Sequence, residues 1–291
     1  AQAQEAFLEQ TYGEHPYGDI FPSAEQIAGY GIDDVRRFHD TEFGARRTHA
    51  YVAGRFDESA VRDAIDRSFG DWKRGPDVHV DVPEAKPDHS VVLVDRSDAP
   101  QSTIVFGLPV VDPSHPDYVP LQVMNTLLGG SFSSRITSNI REDKGYTYSP
   151  RGALSDNYRV ATWSESADVS SEHTADSIRE IISEIKRLRN EPPPEKELDG
   201  IQKYLSGVFV LQNSSPAGII GQLRKIDLHG LPDDYLETFV PRVNDVTPAD
   251  VSAMARKYLS VDDMTLVVVG DLDTVRPQLE GLDWIREGDL E

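Results

Sequence analysis

LLGGSFSSRITSNIREDKGYTY, residues 127–148, carries two glycine-marked turns around a short amphipathic segment. Gly129 and Gly130 can take the φ > 0 conformations that stop a helix. Ser131 or Ser133 then offers an N-cap oxygen to a second short helix, in which Ile136 and Ile140, four apart, share one face. That helix is expected to end near Arg141, and Gly145 allows a turn into the β-prone run Tyr146-Thr147-Tyr148. A basic side chain and tyrosines therefore meet beside a sheet edge. On spacing alone, a helix cap, a surface arginine and packed tyrosines are the favoured explanation of the stretch.

Outward from this segment the pattern is α+β. The runs Val91–Val94 and Ser102–Val111 are β-branched and nearly continuous in apolar residues, as buried strands are. A helix from about Asp117 to Leu128 turns Leu121, Met124, Leu127 and Leu128 toward that sheet. Arg159–Val169 alternates as a strand. Thr174–Arg189 places Ile178, Ile181, Ile182, Ile185 and Leu188 on one helical face. Helices over Glu195–Leu211 and up to about His229 follow. Thr247-Pro248-Ala249-Asp250 is a strong helix start, with Thr as N-cap and Pro at N1, ahead of the strand MTLVVVGDLD.

The front of the chain repeats this ending. Residues 1–14 are expected to be helical, His15-Pro16-Tyr17-Gly18 a turn, Ser23–Phe43 a helix docked on a sheet, and Thr48–Gly54 a strand. A shift of 216 positions lays Asp34-Val35 on Asp250-Val251 and Phe43 on Leu259. The same shift lays Val52-Ala53-Gly54 on Val268-Val269-Gly270, without a gap. Two related sheet-plus-helices units are therefore expected, the first incomplete and lacking its front half, the second a mixed or antiparallel sheet backed by helices. The division is 1–76, a Pro- and Asp-rich linker at 77–90, and 91–291. His39-Asp40-Thr41-Glu42-Phe43 holds a histidine and a glutamate at zinc-motif spacing. Phe43 stands where a second histidine is needed, and a catalytic zinc takes about three protein ligands, so no metal site is assigned.

The segment 127–148 resembles the second-domain signature of the insulinase/pitrilysin family of zinc peptidases, through Gly129, Gly130, Ser133, Ser134, Arg135, Arg141, Glu142, Gly145 and Tyr148. Ile136 and Tyr146 stand where leucine is usual. The HPYG turn and the Phe69-Gly70-Asp71-Trp72 ending are also similar to first-domain segments of that family. The resemblance implies paired homologous domains, with the H-x-x-E-H zinc motif in a front half that would precede Ala1. Zinc is thus expected in the intact family enzyme and none in this chain, which carries no catalytic residue and alone is expected not to hydrolyse peptides. The residues the resemblance carries over are substrate-binding: Arg141 and Tyr148 near the scissile bond, with Gly129 and Gly130 allowing close backbone approach. Arg135 is expected in a structural ion pair. Implied partners are a peptide substrate and either the missing first-domain half or a zinc-bearing homologous subunit, and a dimer is compatible with this. Three roles remain open: clamp of a zinc endopeptidase, non-catalytic partner subunit, or a structural subunit like respiratory core proteins.

Composition narrows the partners further. The 291 residues hold 29 basic and 50 acidic side chains, net −21, which repels phosphate backbones and argues against nucleic acid. No apolar run approaches the roughly 18 residues of a membrane span. With no cysteine there is no disulfide and no thiolate site. The compartment, periplasm or cytoplasm of a bacterium, stays open. Asp supplies 31 of the acidic residues and Lys only 8 of the basic ones, which fits either adaptation to a high-salt interior or an ordinary acidic protein. Melting temperature measured against KCl separates the two: high-salt adaptation predicts a rise toward molar salt, and a flat or falling curve excludes it.

Overall fold

The structure, a computed structural model, describes residues 1–290. Its frame is a five-stranded mixed sheet of β1 (Ser90–Asp95), β2 (Gln101–Val110), β3 (Arg151–Asn157), β4 (Val160–Ser170) and β5 (Thr265–Gly270), in the order β1-β5-β2-β4-β3. β1 and β5 run parallel, and every other neighbouring pair is antiparallel. β5 is buried along its whole length, which is why the run Thr265–Gly270 reads as continuously apolar rather than alternating. β3 is left at one edge, beside the glycine turn.

Successive side chains of a strand face opposite sides, and both sides here are covered. Ile104, Phe106 and Leu108 of β2, with Trp163 of β4, enter the main core under the helices. The α-helices up to Tyr258 are α1 (Gln2–Tyr12), α2 (Ala24–Gly29), α3 (Ile32–Glu42), α4 (Glu58–Phe69), α5 (Tyr118–Asn125), α6 (Thr174–Asn190), α7 (Glu195–Gln212), α8 (Pro216–His229), α9 (Tyr235–Asn244) and α10 (Pro248–Tyr258), and those over this core include α5, α6 and α10. All five apolar residues expected on the inner face of α6 are buried. α10 begins at the expected cap: the Thr247 side chain accepts from the Asp250 N–H, and the Asp250 carboxylate accepts from the Thr247 N–H in return. On the opposite side, Val105, Val267 and Val269 pack against Ala3 and Phe7 of the N-terminal helix Gln2–Tyr12.

Residues 19–82 are arranged differently. Helices Ala24–Gly29, Ile32–Glu42 and Glu58–Phe69 form, but none buries a residue. The repeat makes the contrast quantitative: Val251, Leu259 and Val268 are 0% exposed, while their counterparts Val35, Phe43 and Val52 are 59%, 50% and 44% exposed. The expected strand at Thr48–Gly54 is absent. β5 lies between β1 and β2, whereas Thr48–Gly54 has no strand to either side, and an unpaired segment cannot complete a ladder. Tyr146–Tyr148 likewise shrinks to a single bridge, Thr147 to Val169, beyond the part of β4 that pairs with β3.

Phe7 is fully buried between helix and sheet. Replacing it with Ala is expected to cost about 3–5 kcal/mol, read as a lower urea midpoint. An unchanged midpoint would mean that this helix does not hold the back of the sheet.

Candidate functional site

The glycine turn is shaped by close approach rather than by unusual backbone angles. Gly129 and Gly130 close a π-helical turn, Thr126–Gly130, that continues α5. Neither has a positive φ, contrary to the expected helix stop; only Gly145 in this region does. What they require is space. A Cβ on Gly129 would lie 2.1 Å from Glu165 Oε2, and one on Gly130 would lie 2.6 Å from Asn125 Nδ2. Gly152 on β3 is constrained in the same way, its Cβ position 2.8 Å from Glu165 Oε2 and 2.8 Å from the Gly129 Cα.

Below the turn lies a polar layer inside the core. Trp163 Nε1 donates to Asn125 Oδ1 at 2.8 Å, which leaves the Asn125 amide N–H to reach the Gly152 carbonyl at 3.4 Å. Glu165 is 0% exposed, and its oxygens complete no hydrogen bond. Burial pushes its carboxyl well above the ordinary carboxylate range, and the nearby Arg151 backbone N–H, short of a completed hydrogen bond, offsets only part of that effect.

The segment after the turn is also capped by a different residue than expected. Ser134, fully buried, replaces Ser131 or Ser133: its Oγ accepts from the Thr137 N–H at 3.4 Å and donates to Thr137 Oγ1 at 2.9 Å. The chain then forms a second π-helical turn, Thr137–Asp143, with Ile140 buried beneath and Arg141 on the outside. Arg135 makes the expected ion pair, two-pronged, with Nε and Nη2 each 2.8 Å from a Glu197 oxygen. This pair ties the segment to helix α7 (Glu195–Gln212).

Arg141 sits between two rings. Its guanidinium carbon is 4.4 Å from the Phe132 ring centre and 4.6 Å from that of Tyr148. Its Nε pairs with Glu142 Oε1 at 3.0 Å. Thr147 anchors the next stretch by donating to the Asp168 carbonyl at 2.7 Å, which turns Tyr148 outward at 77% exposure. A cleft of about 340 Å³ opens here, lined by Gly129, Gly130, Phe132, Arg141, Arg151 and Tyr204 among others. Three of the four residues expected to bind substrate thus line one cleft, and Tyr148, outside that lining, stacks on Arg141.

Phe132, Tyr204, Arg151 and Glu165 were not anticipated. Glu165 did carry a signal: in the inward phase Trp163, Glu165, Ala167, Val169 it is the only charge. The cleft-lining role of Phe132 and Tyr204 follows from tertiary proximity and has no such signal.

Among the described residues, no group of three or more His, Cys, Asp or Glu side chains could hold a metal ion. His39 and Glu42 are exposed on their helix, and Phe43 stacks on the His39 ring with centres 5.4 Å apart. The residues present therefore do not fit a zinc centre. No helix among them is long and apolar enough to cross a membrane.

The fold and this loop define a peptidase-like α+β domain. The family model described as the peptidase M16 inactive domain matches residues 31–205, and the chain belongs to that family. It is 25% identical over 257 residues to a Bacillus subtilis protein named uncharacterized zinc protease YmxG, covering 87% of this chain and 61% of the relative. A Helicobacter pylori protein named non-peptidase homolog YmxG is 23% identical over 177 residues, covering 60% of this chain and 40% of the relative. The crystal structure of the peptidase M16 inactive domain from Pseudomonas fluorescens superposes with a TM-score of 0.79 at 24% identity, over 92% of this chain and 65% of that one. The chain spans about six tenths of the length of the first curated relatives it matches.

Glu165 gives a pH test with a defined sign. Unfolded, its carboxyl ionises near 4.5; folded, it keeps its proton to a higher pH. Above pH 4.5 the folded state therefore binds the extra proton, and stability falls as pH rises toward the raised value, at up to about 1.4 kcal/mol per pH unit. Glu165→Gln removes this contribution, so its stability relative to wild type should improve between pH 5 and pH 8. A constant difference in urea midpoints across that range would show that the carboxyl is already ionised in the fold.

Proposed function

We propose that this chain supplies the substrate-clamping side of an M16-type zinc endopeptidase, and that Arg141 and Tyr148 hold an extended peptide over the glycine turn. The observation that carries this reading is the Arg141 guanidinium fixed between Phe132 and Tyr148 at the mouth of a cleft floored by Gly129 and Gly130. Stacking on two rings sets the guanidinium plane, so its remaining N–H donors point along it. Donors positioned in advance stabilise charge that grows on a peptide carbonyl oxygen during hydrolysis. In this reading residues 1–76 are the closing half of a first domain, 77–90 the linker, and 91–291 the clamping domain. The exposed Val35, Phe43 and Val52 support it, since the equivalent positions of the second unit are buried. Zinc and the catalytic base then belong to a different half or a separate homologous chain.

A second reading, a non-catalytic partner subunit, is favoured by the relative named non-peptidase homolog. It uses the same Arg141 and Tyr148 but places the zinc on another polypeptide.

Both readings require the pair to contribute to turnover. In the parent protein, or in a reconstituted pair, Arg141→Ala is expected to lower kcat/KM for peptide cleavage by about a hundredfold. Tyr148→Phe should lower it by about tenfold, the scale of one lost hydrogen bond. Unchanged kcat/KM in folded variants would leave only a structural role for this domain. Cleavage and bound zinc assayed on each polypeptide separately distinguish the first reading from the second.

A further inference from the structure

The cleft at the glycine turn is basic in a chain that is strongly acidic. The protein carries a net charge of −21, yet the charged residues lining the cleft are Arg141 and Arg151, with no carboxylate among them. Arg151 is the first residue of the edge strand β3, and its side chain is exposed. Arg141 shares only its Nε edge with Glu142, and its two rings hold the guanidinium in place. Two cations facing one recess of about 340 Å³, beside the exposed ring of Phe132 and the half-exposed ring of Tyr204, make a site for an anion attached to an apolar chain.

We propose that this cleft recognises a carboxylate on the bound peptide, either an acidic side chain or a free C-terminus, with Arg151 as the second cation beside Arg141. The proposal rests on the peptide-clamping reading above and adds the substrate class. A guanidinium matches a carboxylate with two parallel N–H donors, and such charge-assisted bonds are about twice as strong as neutral ones. An isolated surface pair is worth little in water, but a cleft that sheds water on both sides of the ligand strengthens it. Phe132 and Tyr204 supply those apolar sides. The net charge of −21 disfavours non-specific binding of anions to this chain, so a carboxylate needs a local pair of cations such as this one.

The test is fluorescence polarisation on the full chain with three fluorescein-labelled peptides sharing one Leu- and Phe-containing decapeptide sequence. One has an amidated C-terminus and no acidic residue, the second a free C-terminal carboxylate, and the third an amidated C-terminus with one central Asp. At least one carboxylate peptide is expected to bind about tenfold more tightly than the neutral one, a ratio that shrinks as salt is raised. The peptide that shows the preference identifies the source of the carboxylate. Arg151→Gln should reduce the ratio to within about twofold, and Arg151→Lys, which keeps the charge without the planar fork, should restore part of it. Arg179→Gln, a surface change on α6, should leave it intact. Equal affinities for all three peptides, or a ratio that survives Arg151→Gln, would overturn the carboxylate proposal and leave the clamp standing. Failure of every peptide to bind the wild-type chain would remove the clamp reading and this proposal with it.

Discussion

The Glu165 carboxyl occupies the space between two backbone segments, and that crowding determines what the turn above it can be. Its Oε2 fills the place where a side chain on either Gly129 or Gly152 would begin. The chain can pass on both sides of the carboxyl only where it carries no Cβ, so the turn and the edge strand come within van der Waals contact of each other. Asn125 and Trp163 complete the layer with a hydrogen bond inside the core. A close-packed interior transmits such constraints with little slack. The position of the cleft floor is therefore inherited from a buried polar group on β4, one strand in from the edge of the sheet.

Above that floor, the working surface is built from short, irregular pieces held at several points. Two π-helical turns flank Ser134, whose hydroxyl is bonded inside the fold. Arg135 fastens the segment to α7, Thr147 fastens its far end to β4, and Ile136 and Ile140 sink into the core. π-helical turns are uncommon in regular helices and concentrate where a side chain has to be re-aimed. Here the consequence is that Arg141 and Tyr148, seven residues apart, stack on each other, with Phe132 on the other face. The large outward groups at the cleft are aromatic or cationic, and the exposed carboxylates of Glu142 and Asp143 lie outside its lining.

The two repeated units show what burial adds to an unchanged pattern. Val251, Leu259 and Val268 are buried because a sheet and helices surround them. Val35, Phe43 and Val52 have the same spacing and stay exposed. A helix face or strand gains its apolar stabilisation only when a second layer covers it. The back of the five-stranded sheet does have such cover, from Ala3 and Phe7 of the N-terminal helix.

Much of this was legible in the sequence. Periodicity located α6, the cap Thr247-Pro248-Ala249-Asp250 located the start of α10, and continuous β-branched runs located β2 and β5, because these signals depend on neighbours within a turn or a strand. The two-glycine turn was marked by residue type, and Arg141 and Tyr148 by the resemblance of segment 127–148 to a known family rather than by spacing. The reason for the glycines was not, since it lies in Glu165 and Gly152, which are distant along the chain. The strand expected at Thr48–Gly54 failed for a related cause: a strand exists only through its neighbours, and no local pattern reports whether they are there. Local propensity and periodicity, then, determined most helices, the buried strands and the segment that carries the site. Tertiary structure alone decided which apolar face is covered, why the glycines are needed, and that Phe132, Arg151 and Tyr204 share one cleft with Arg141, because each of these depends on atoms brought together from far apart in sequence.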